Sequence, residues 1–493
     1  MFFFAIWTKI IIFATVKIIT VMNELIGRVS ECEQLNECLN SQRSEFIIIY
    51  GRRRIGKTFL VKKFFDQKFS FYFTGAHNMP YVNQLERFAA TIKKYSKSKI
   101  TPQPKDWNQA FDCLVEYLES LPEGQRKVIF IDEMPWIDTH KSDFVTALEN
   151  FWNSWAALRD DIVFIACGSA TSWLSDKLIE NQGGLHNRIT RRIYLRPFTL
   201  NECEKYLQSI NCVWDKYQIV QCYMILGGVP FYYSLLNPKE SLVQNIDSLF
   251  FKKSAKLQGE FDELYSALFA SADKYIAVVK ELSLKREGLT RNEIMQSTGI
   301  SGGGLTRIID NLEKCDFISG YSNFNNKNKN IIYRLTDFYT LFYFHFIESK
   351  KQIDPKFWEH NYMSPKINAW QGYTFELVCL THIEQIKVSL GISGISTSVS
   401  AWRGTYAGAN TQIDLIIDRG DRIINICEIK FSSEPYVITK DYEAKLRLRN
   451  AIFKSLTKTR KALATTFITV YGVMKNIHSG VVQNEVTAEE LFR

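Results

Sequence analysis

Two short runs in this 493-residue sequence bring together the residue types that handle phosphate and a divalent cation. The first is Gly51-Arg52-Arg53-Arg54-Ile55-Gly56-Lys57-Thr58, which fits G-x-x-x-x-G-K-[ST]. Its glycines let backbone N–H groups wrap an anion, and a helix starting beyond Gly56 adds its positive end. Lys57 is placed to reach the β- and γ-phosphates of a nucleotide, and Thr58 to ligate Mg²⁺. Arg52, Arg53 and Arg54 make the loop unusually basic, and the pattern alone does not say whether they meet phosphate or solvent. The second run is Asp132-Glu133, at the end of the apolar stretch KVIFID. There Asp132 would hold Mg²⁺ through its water shell, and Glu133 would orient and deprotonate an attacking water. The plainer reading is an exposed acidic turn after a core strand.

Two weaker candidates follow. IVFIACGSATSWL is an apolar strand ending in Ser169, Thr171 and Ser172. Ligands of open α/β sheets sit at the carboxyl ends of strands, so Ser169 could sense a γ-phosphate or could simply close the strand. LHNRITRRIYLRPF offers Arg188, Arg191 and Arg192. One guanidinium there, with Arg188 the first candidate, could stabilise transition-state charge, although a surface ion pair is the commoner role for each.

A third group lies near the C-terminus. The apolar strands Ile413–Asp418 and Arg422–Lys430 flank the turn Arg419-Gly420-Asp421. One of the two registers this turn allows sets Asp414 opposite Glu428, on one face of the sheet. Lys430 shares that face about 6–7 Å away. Leu415, Ile417, Cys427 and Ile429 then pack the other side. Carboxylates so placed can hold Mg²⁺, and a lysine beside them can steer a water. A cross-strand salt bridge is the competing account. The following run, with Lys445, Arg447, Arg449, Lys454, Lys458, Arg460 and Lys461, could track a phosphate backbone or form a solvated face.

The elements that must position these residues can be read from hydropathy. Phe46–Tyr50, Phe69–Thr74, Lys127–Asp132, Ile162–Gly168 and Arg192–Leu195 are strand candidates with helical patterns between them. Apolar strands alternating with helices point to a parallel sheet covered on both faces. Further on, Thr290–Ser297 and Gly303–Lys314 read as helices, the second buried along Ile308, Leu312 and Cys315. A hairpin with an Asn/Lys tip at Asn325–Asn330 follows. Helices followed by a basic hairpin suggest a winged helix-turn-helix. Its Thr306, Arg307 and wing lysines would meet duplex DNA, or the module would serve between domains. The glycines 302–304 weaken a rigid recognition helix.

Composition bounds the rest. The length argues for about three domains, and 46% apolar residues supply ordinary cores. A net charge of +9 permits nucleic-acid contact without demanding it. Ten scattered cysteines without metal-ligand spacing read as reduced thiols, pointing to a cytoplasmic protein without structural zinc. Residues 1–22 are apolar, but Lys9 and Lys17 break the run, and neither a membrane helix nor a signal peptide fits. The expected explanation is a start assigned too early, with translation beginning at Met22. A weak membrane anchor is the alternative.

Six blocks in order resemble the archaeal-type ATPase family, relatives of the STAND and AAA+ NTPases. They are Ile26–Arg28, the glycine loop, FIDEMPW, CGSATSWL, Arg196–Phe198 and GGVPFYY at Gly227–Tyr233. The resemblance covers about residues 23–240. It implies ATP as the nucleotide, and a helical lid at Gly227-Gly228-Val229-Pro230 near it. About residues 365–475 resemble the PD-(D/E)xK nuclease core, with Glu376 on a leading helix, Asp414, and Glu428-Ile429-Lys430. The Pro of the usual signature is replaced by Ile413.

The expected fold is therefore α/β throughout: a P-loop NTPase parallel sheet with a helical lid over 23–240, a winged helix-turn-helix over 241–350, and a restriction-endonuclease-like α/β domain over 355–493. Residues 1–22 stand outside it. The expected function is Mg²⁺-dependent ATP hydrolysis that switches a DNA-acting nuclease-like domain. The alternative is a nucleotide-dependent regulator that binds DNA or protein and cuts nothing. ATP, double-stranded DNA and a second copy of the chain are the expected partners, and a membrane is not.

Overall fold

The computed structural model describes residues 25–169, 172–174, 177–178, 184–185, 187–269, 271–324, 331–348, 354–406 and 409–493. Met22 and the hairpin tip 325–330 lie outside these, as does Thr171. The chain divides into two compact units, Met1–Pro197 and Phe198–Arg493.

In the first unit the elements are α1 (Val29–Leu39), β1 (Glu45–Gly51), α2 (Lys57–Phe64), β2 (Phe71–Thr74), α3 (Tyr81–Ser96), α4 (Trp107–Glu119), β3 (Lys127–Asp132), α5 (Phe144–Ser154), β4 (Ile162–Ser169) and β5 (Arg191–Leu195). The strands form one all-parallel sheet in the order β2-β3-β4-β1-β5. Each expected strand is present, with ends shifted by up to two residues. The near-continuous apolar runs exist because both sheet faces are covered. Alternate residues take opposite sides. Phe46, Ile48, Ile129, Ile131 and Phe164 pack with α3, α4 and α5, around Phe88, Trp107, Phe111 and Phe151. Ile47, Ile49, Val128, Phe130, Val163 and Ile165 pack on the other side with α1 and α2, around Leu35, Leu60 and Val61.

The second unit opens with α6 (Leu200–Ser209) and α7 (Lys216–Leu226), each begun by a capping box, at Thr199 and Asp215. A middle module follows: α8 (Ala272–Ser283), β6 (Leu289–Thr290), α9 (Arg291–Thr298), α10 (Gly302–Lys314), β7 (Ile318–Tyr321) and β8 (Ile332–Leu335). Its strands pair antiparallel in the order β6-β8-β7. Beyond α11 (Phe338–Phe346) and α12 (Pro365–Thr381) come β9 (Thr397–Tyr406), β10 (Ala409–Arg419), β11 (Ile423–Lys430), α13 (Lys440–Thr457), β12 (Ala462–Thr469) and β13 (Asn484–Thr487). These strands form a mixed sheet, β13-β12-β11-β10-β9, antiparallel from β9 to β11 and parallel from β11 to β13. Among the described residues no helix is long and apolar enough to cross a membrane.

Two of the sequence blocks meet at the start of this unit. Phe198 donates its N–H to the Gly228 carbonyl at 2.6 Å, and Tyr223 Oη donates to the Phe198 carbonyl at 3.0 Å. A Cβ on Gly228 would stand 1.9 Å from the Phe198 carbonyl oxygen. The backbones therefore approach as closely as only glycine allows. Gly228→Ala should cost about 1–3 kcal/mol through overpacking, read as a lowered melting temperature of the full chain.

Candidate functional site

The loop from β1 to α2 is shaped by two glycines. Gly51 has φ +150°, and a Cβ there would lie 2.3 Å from the Leu195 carbonyl oxygen on β5. Gly56 caps α2 from the left-handed region, at φ 88°. Arg54 is also left-handed, at φ 70°. The loop is braced by Arg28, whose Nη2 donates to the Ile55 carbonyl at 3.3 Å. Arg28 belongs to the Ile26–Arg28 block, but nothing in its spacing announced this contact. Ile55 and Arg52 are buried, while Arg53 and Arg54 are half-buried. The Lys57 ammonium is buried inside the loop, donating to the carbonyls of Gly51 (3.2 Å) and Arg52 (2.9 Å).

Sheet order brings the second run to this loop. β4 lies between β1 and β3, and Ser169 at its end is in register with Gly51. Asp132 ends β3, and Thr58 Oγ1 donates to its carboxylate at 2.9 and 3.1 Å. The hydroxyl and carboxylate that would share a Mg²⁺ thus already touch, and this donor set suits a hard cation. Glu133 follows in the left-handed region, at φ 47°, with its N–H on Asp132 Oδ1 at 3.1 Å. That conformation costs a non-glycine residue about 1–2 kcal/mol. It turns the carboxylate away from the strand's alternation. Gly75, after β2, makes room for the turn, since a Cβ there would stand 2.5 Å from the Glu133 carbonyl oxygen. Sequence reasoning missed Gly75, whose one signal was a glycine directly after a strand.

Burial pushes the Asp132 carboxyl above its ordinary range, against the Thr58 hydrogen bond, the Glu133 N–H, Cys167 and Lys57. Burial raises Glu133 as well; Lys57 and Arg53 pull it down, and Asp132 pushes it up. Asp132 is thus a buried strand end and not an exposed acidic turn. Arg188 lies exposed on a turn, its N–H on the Leu185 carbonyl at 3.1 Å. Arg191 pairs with Glu37 at 2.8 Å.

A second cluster lies within the second unit. β10 and β11 pair Leu415 with Cys427 and Ile416 with Ile426, the register that directs Asp414 towards Glu428. A bulge against β9 falls between Ile413 and Ile416. Ile416 and Ile426 on the same face pack under Phe453 of α13, so the acids sit at the end of an apolar face. Glu428 is buried and receives Lys430 at 2.8 Å, Arg449 Nη1 and the Tyr442 hydroxyl. Asp414 accepts from Arg334 of β8 at 3.2 Å and from Gln412 at 2.9 Å. Burial, with Asp414 nearby, pushes Glu376 of α12 up to about 8. Glu428 goes the other way: burial would raise it, but Arg449 and Lys430 hold it near 2. Burial lowers the Lys430 pKa, but Glu428 and the Tyr442 hydroxyl together carry it above its ordinary value.

Glu376, Asp414, Glu428 and Lys430 therefore converge, but among arginines. Arg334, Arg449 and Tyr442 were not foreseen as members. Arg449 belonged to the basic run, and its inward aim depends on a helix phase that charge alone does not give. No group of three or more His, Cys, Asp or Glu arranged to hold a metal occurs among the described residues. The acids as arranged are thus matched to guanidinium groups and do not form an open cation site. In the middle module, Thr306 and Arg307 are exposed, and Arg291 donates to the Gly302 carbonyl (3.0 Å) and Thr306 (3.3 Å). The chain beyond β7 pairs with β9, Phe324 N–H meeting the Ala401 carbonyl at 2.9 Å. All ten cysteines are free.

The glycine loop, the strand that separates it from Asp132-Glu133, and the Thr58–Asp132 contact form the arrangement of a P-loop nucleotide site. Residues 25–236 match the family described as the ATPase domain predominantly from Archaea. An uncharacterised protein of Methanocaldococcus jannaschii is 24% identical over 440 residues, covering 87% of this chain and 91% of that relative. An uncharacterised ATP-binding protein of the same organism is 46% identical over 43 residues, 9% of this chain and 73% of that relative. Among solved structures, a Walker-type ATPase of Pyrococcus abyssi is similar at 18% identity and TM-score 0.46, over 65% of this chain and 96% of that one.

The raised carboxyls carry a stability signature. A group that holds its proton more tightly when folded contributes stability below its unfolded pKa, and that contribution is lost as pH rises through the folded pKa. Nucleotide-free Glu133→Gln should therefore melt above wild type at pH 7–8. The gap should close as pH falls towards about 4, where the unfolded carboxyl also protonates. Thermal melts across that range check this.

Proposed function

We propose that this chain is a Mg²⁺-dependent ATP hydrolase whose nucleotide state switches its C-terminal domain. The observation that carries the hydrolytic reading is the Thr58 hydroxyl on the Asp132 carboxylate beside a glycine loop, at 2.9 Å. In this reading the loop amides from Gly51 to Thr58 hold the phosphates, and Lys57 leaves the loop carbonyls for the β- and γ-phosphates. Thr58 and Asp132 would hold Mg²⁺, which when bound neutralises charge developing on the phosphate oxygens. Glu133 takes the proton as the water oxygen bonds to the γ-phosphorus and the bond to the bridging oxygen of ADP breaks. Its burial-raised pKa makes it a better base than a solvated carboxylate. Ser169 is the candidate reader of the γ-phosphate, and Arg188 the candidate finger. The free thiols fit a cytoplasmic setting.

Lys57→Ala should lose ATP binding. Glu133→Gln should keep binding while kcat falls about 10²–10⁴-fold. Nucleotide-binding calorimetry beside a phosphate-release assay separates the two, and normal turnover in Glu133→Gln removes Glu133 from the mechanism.

For the C-terminal domain we infer a PD-(D/E)xK-like site in which Glu376, Asp414 and Glu428 would hold a divalent cation and Lys430 would orient the water. What supports this is their convergence from α12 and one hairpin. The regulator reading is favoured by the pairing of Asp414 and Glu428 with arginines. The middle module, read as a winged helix, is better supported as an interdomain piece than as a DNA reader, because Asn323, just beyond β7, bridges to Ala401 of β9. Asp414→Asn should abolish cleavage of DNA while leaving ATP turnover unchanged. If wild type cleaves neither single- nor double-stranded DNA or RNA with Mg²⁺ or Mn²⁺, with or without ATP, the regulator reading replaces the nuclease.

A further inference from the structure

α3 sends Phe88 and Ile92 into the core beside β2, yet it leaves an apolar strip facing the loop that leads to α4. Val82, Leu85 and Ala89, spaced by three and four, share one side of the helix. Residues 101–105 return alongside with Pro102 and Pro104, and a groove of about 580 Å³ lies between the two. Val82 is 57% exposed, and Ile100, just before the returning segment, is 79% exposed. Such side chains are ordinary singly, but beside an open groove they mark a surface that another molecule can cover. Both walls are fixed. Gln84 of α3 is buried and donates to the Ala76 carbonyl at 2.8 Å and the Trp136 carbonyl at 3.0 Å. Tyr81 Oη donates to the Lys105 carbonyl at 3.3 Å, and the Lys105 N–H to Gln109 Oε1 at 3.0 Å. A groove already formed saves the ordering cost of binding.

Charge selects the occupant. Residues 81–106 carry six lysines and arginines and two acids, and one of the acids, Asp106, is engaged in capping α4. Lys94, Lys97, Lys99 and Lys105 are exposed. Like charge disfavours a second copy of this chain, at +9, and also the chain's own apolar residues 1–22, which hold Lys9 and Lys17 and no acid. A nucleic acid would meet the lysines, but Tyr81 is the one aromatic ring that the groove offers to a base. We propose that this groove docks an acidic amphipathic segment of another protein, with its apolar side chains between α3 and the two prolines and its carboxylates on the lysines. The proposal depends neither on the nucleotide reading nor on the C-terminal domain.

A fluorescein-labelled peptide of about 14 residues, roughly four helical turns, with leucines at helical spacing and glutamates between them, tests it by anisotropy with the full chain. Wild type should bind the peptide, and more weakly as salt rises. Val82→Glu with Ile100→Glu, and separately Lys99→Glu with Lys105→Glu, should each weaken binding about tenfold or more. All four positions are exposed, so circular dichroism should show the wild-type fold. The same peptide with serine for leucine should bind wild type about tenfold or more weakly, an arm that needs no variant to fold. No binding by wild type, equal binding of the leucine and serine peptides, or equal binding by wild type and both variants overturns the proposal. So does a single-stranded oligothymidylate that displaces the peptide and binds the Val82/Ile100 variant as it binds wild type, since the face would then belong to nucleic acid.

Discussion

The Thr58 hydroxyl and the Asp132 carboxylate meet across 74 residues of sequence, and the architecture of the first unit can be read as what that contact requires. The loop that carries Thr58 must leave the carboxyl end of β1, and Asp132 must end β3. With β4 between them, the two strand ends are about two strand spacings apart, on the order of 10 Å. The glycine loop and the first turn of α2 span that gap, since Thr58 at the start of α2 reaches Asp132. Gly51 and Gly56 let the chain turn there, in backbone regions that side chains avoid. Once the sheet is packed on both faces, the register of β1 with β4 is fixed, and Ser169 falls beside Gly51. Geometry that a nucleotide would use is thus a consequence of core packing on residues that never touch it.

Much of this was legible in advance, because the strands of a doubly covered parallel sheet are unbroken apolar runs and the phosphate loop has a fixed spacing. Lys127–Asp132 coincides with its strand to the residue, and the others shift only at their ends. The hairpin register was also readable as one of two choices, because Leu415, Ile417, Cys427 and Ile429 must be buried together. What was not legible depends on tertiary placement. Arg28 under the loop, Gly75 behind Glu133, and Arg334 beside Asp414 are ordinary residues in their local sequence. Their roles come from segments tens of residues away. Arg449 shows the same limit in another form. It sits among basic residues with the same local appearance, and only the packing of α13 on β11 turns it inward to Glu428 while Arg447 stays exposed with Glu443.

The two carboxylate sites differ in what balances their charge. At Asp132 and Glu133, burial outweighs the hydrogen bonds and nearby cations, so both hold protons more tightly than in water. Such a site gains from any cation that arrives, and binding one relieves a cost built into the fold. At Glu428 the balance is reversed, since Arg449 and Lys430 outweigh burial. A carboxylate already compensated gains little from a further cation and must first lose a partner.

That contrast separates an acidic cluster whose charge is left to burial from one already matched to its own cations. Arg449 comes from the same fold as Glu428 and would move only if α13 did. Arg334 comes from the middle module, whose Phe324 packs against the hairpin core of the same sheet. The hairpin core of Ile416, Ile424 and Ile426 packs on Trp402 and Phe453, so Arg449 is set by the helix that covers this core, whereas Arg334 reaches Asp414 from β8, outside it.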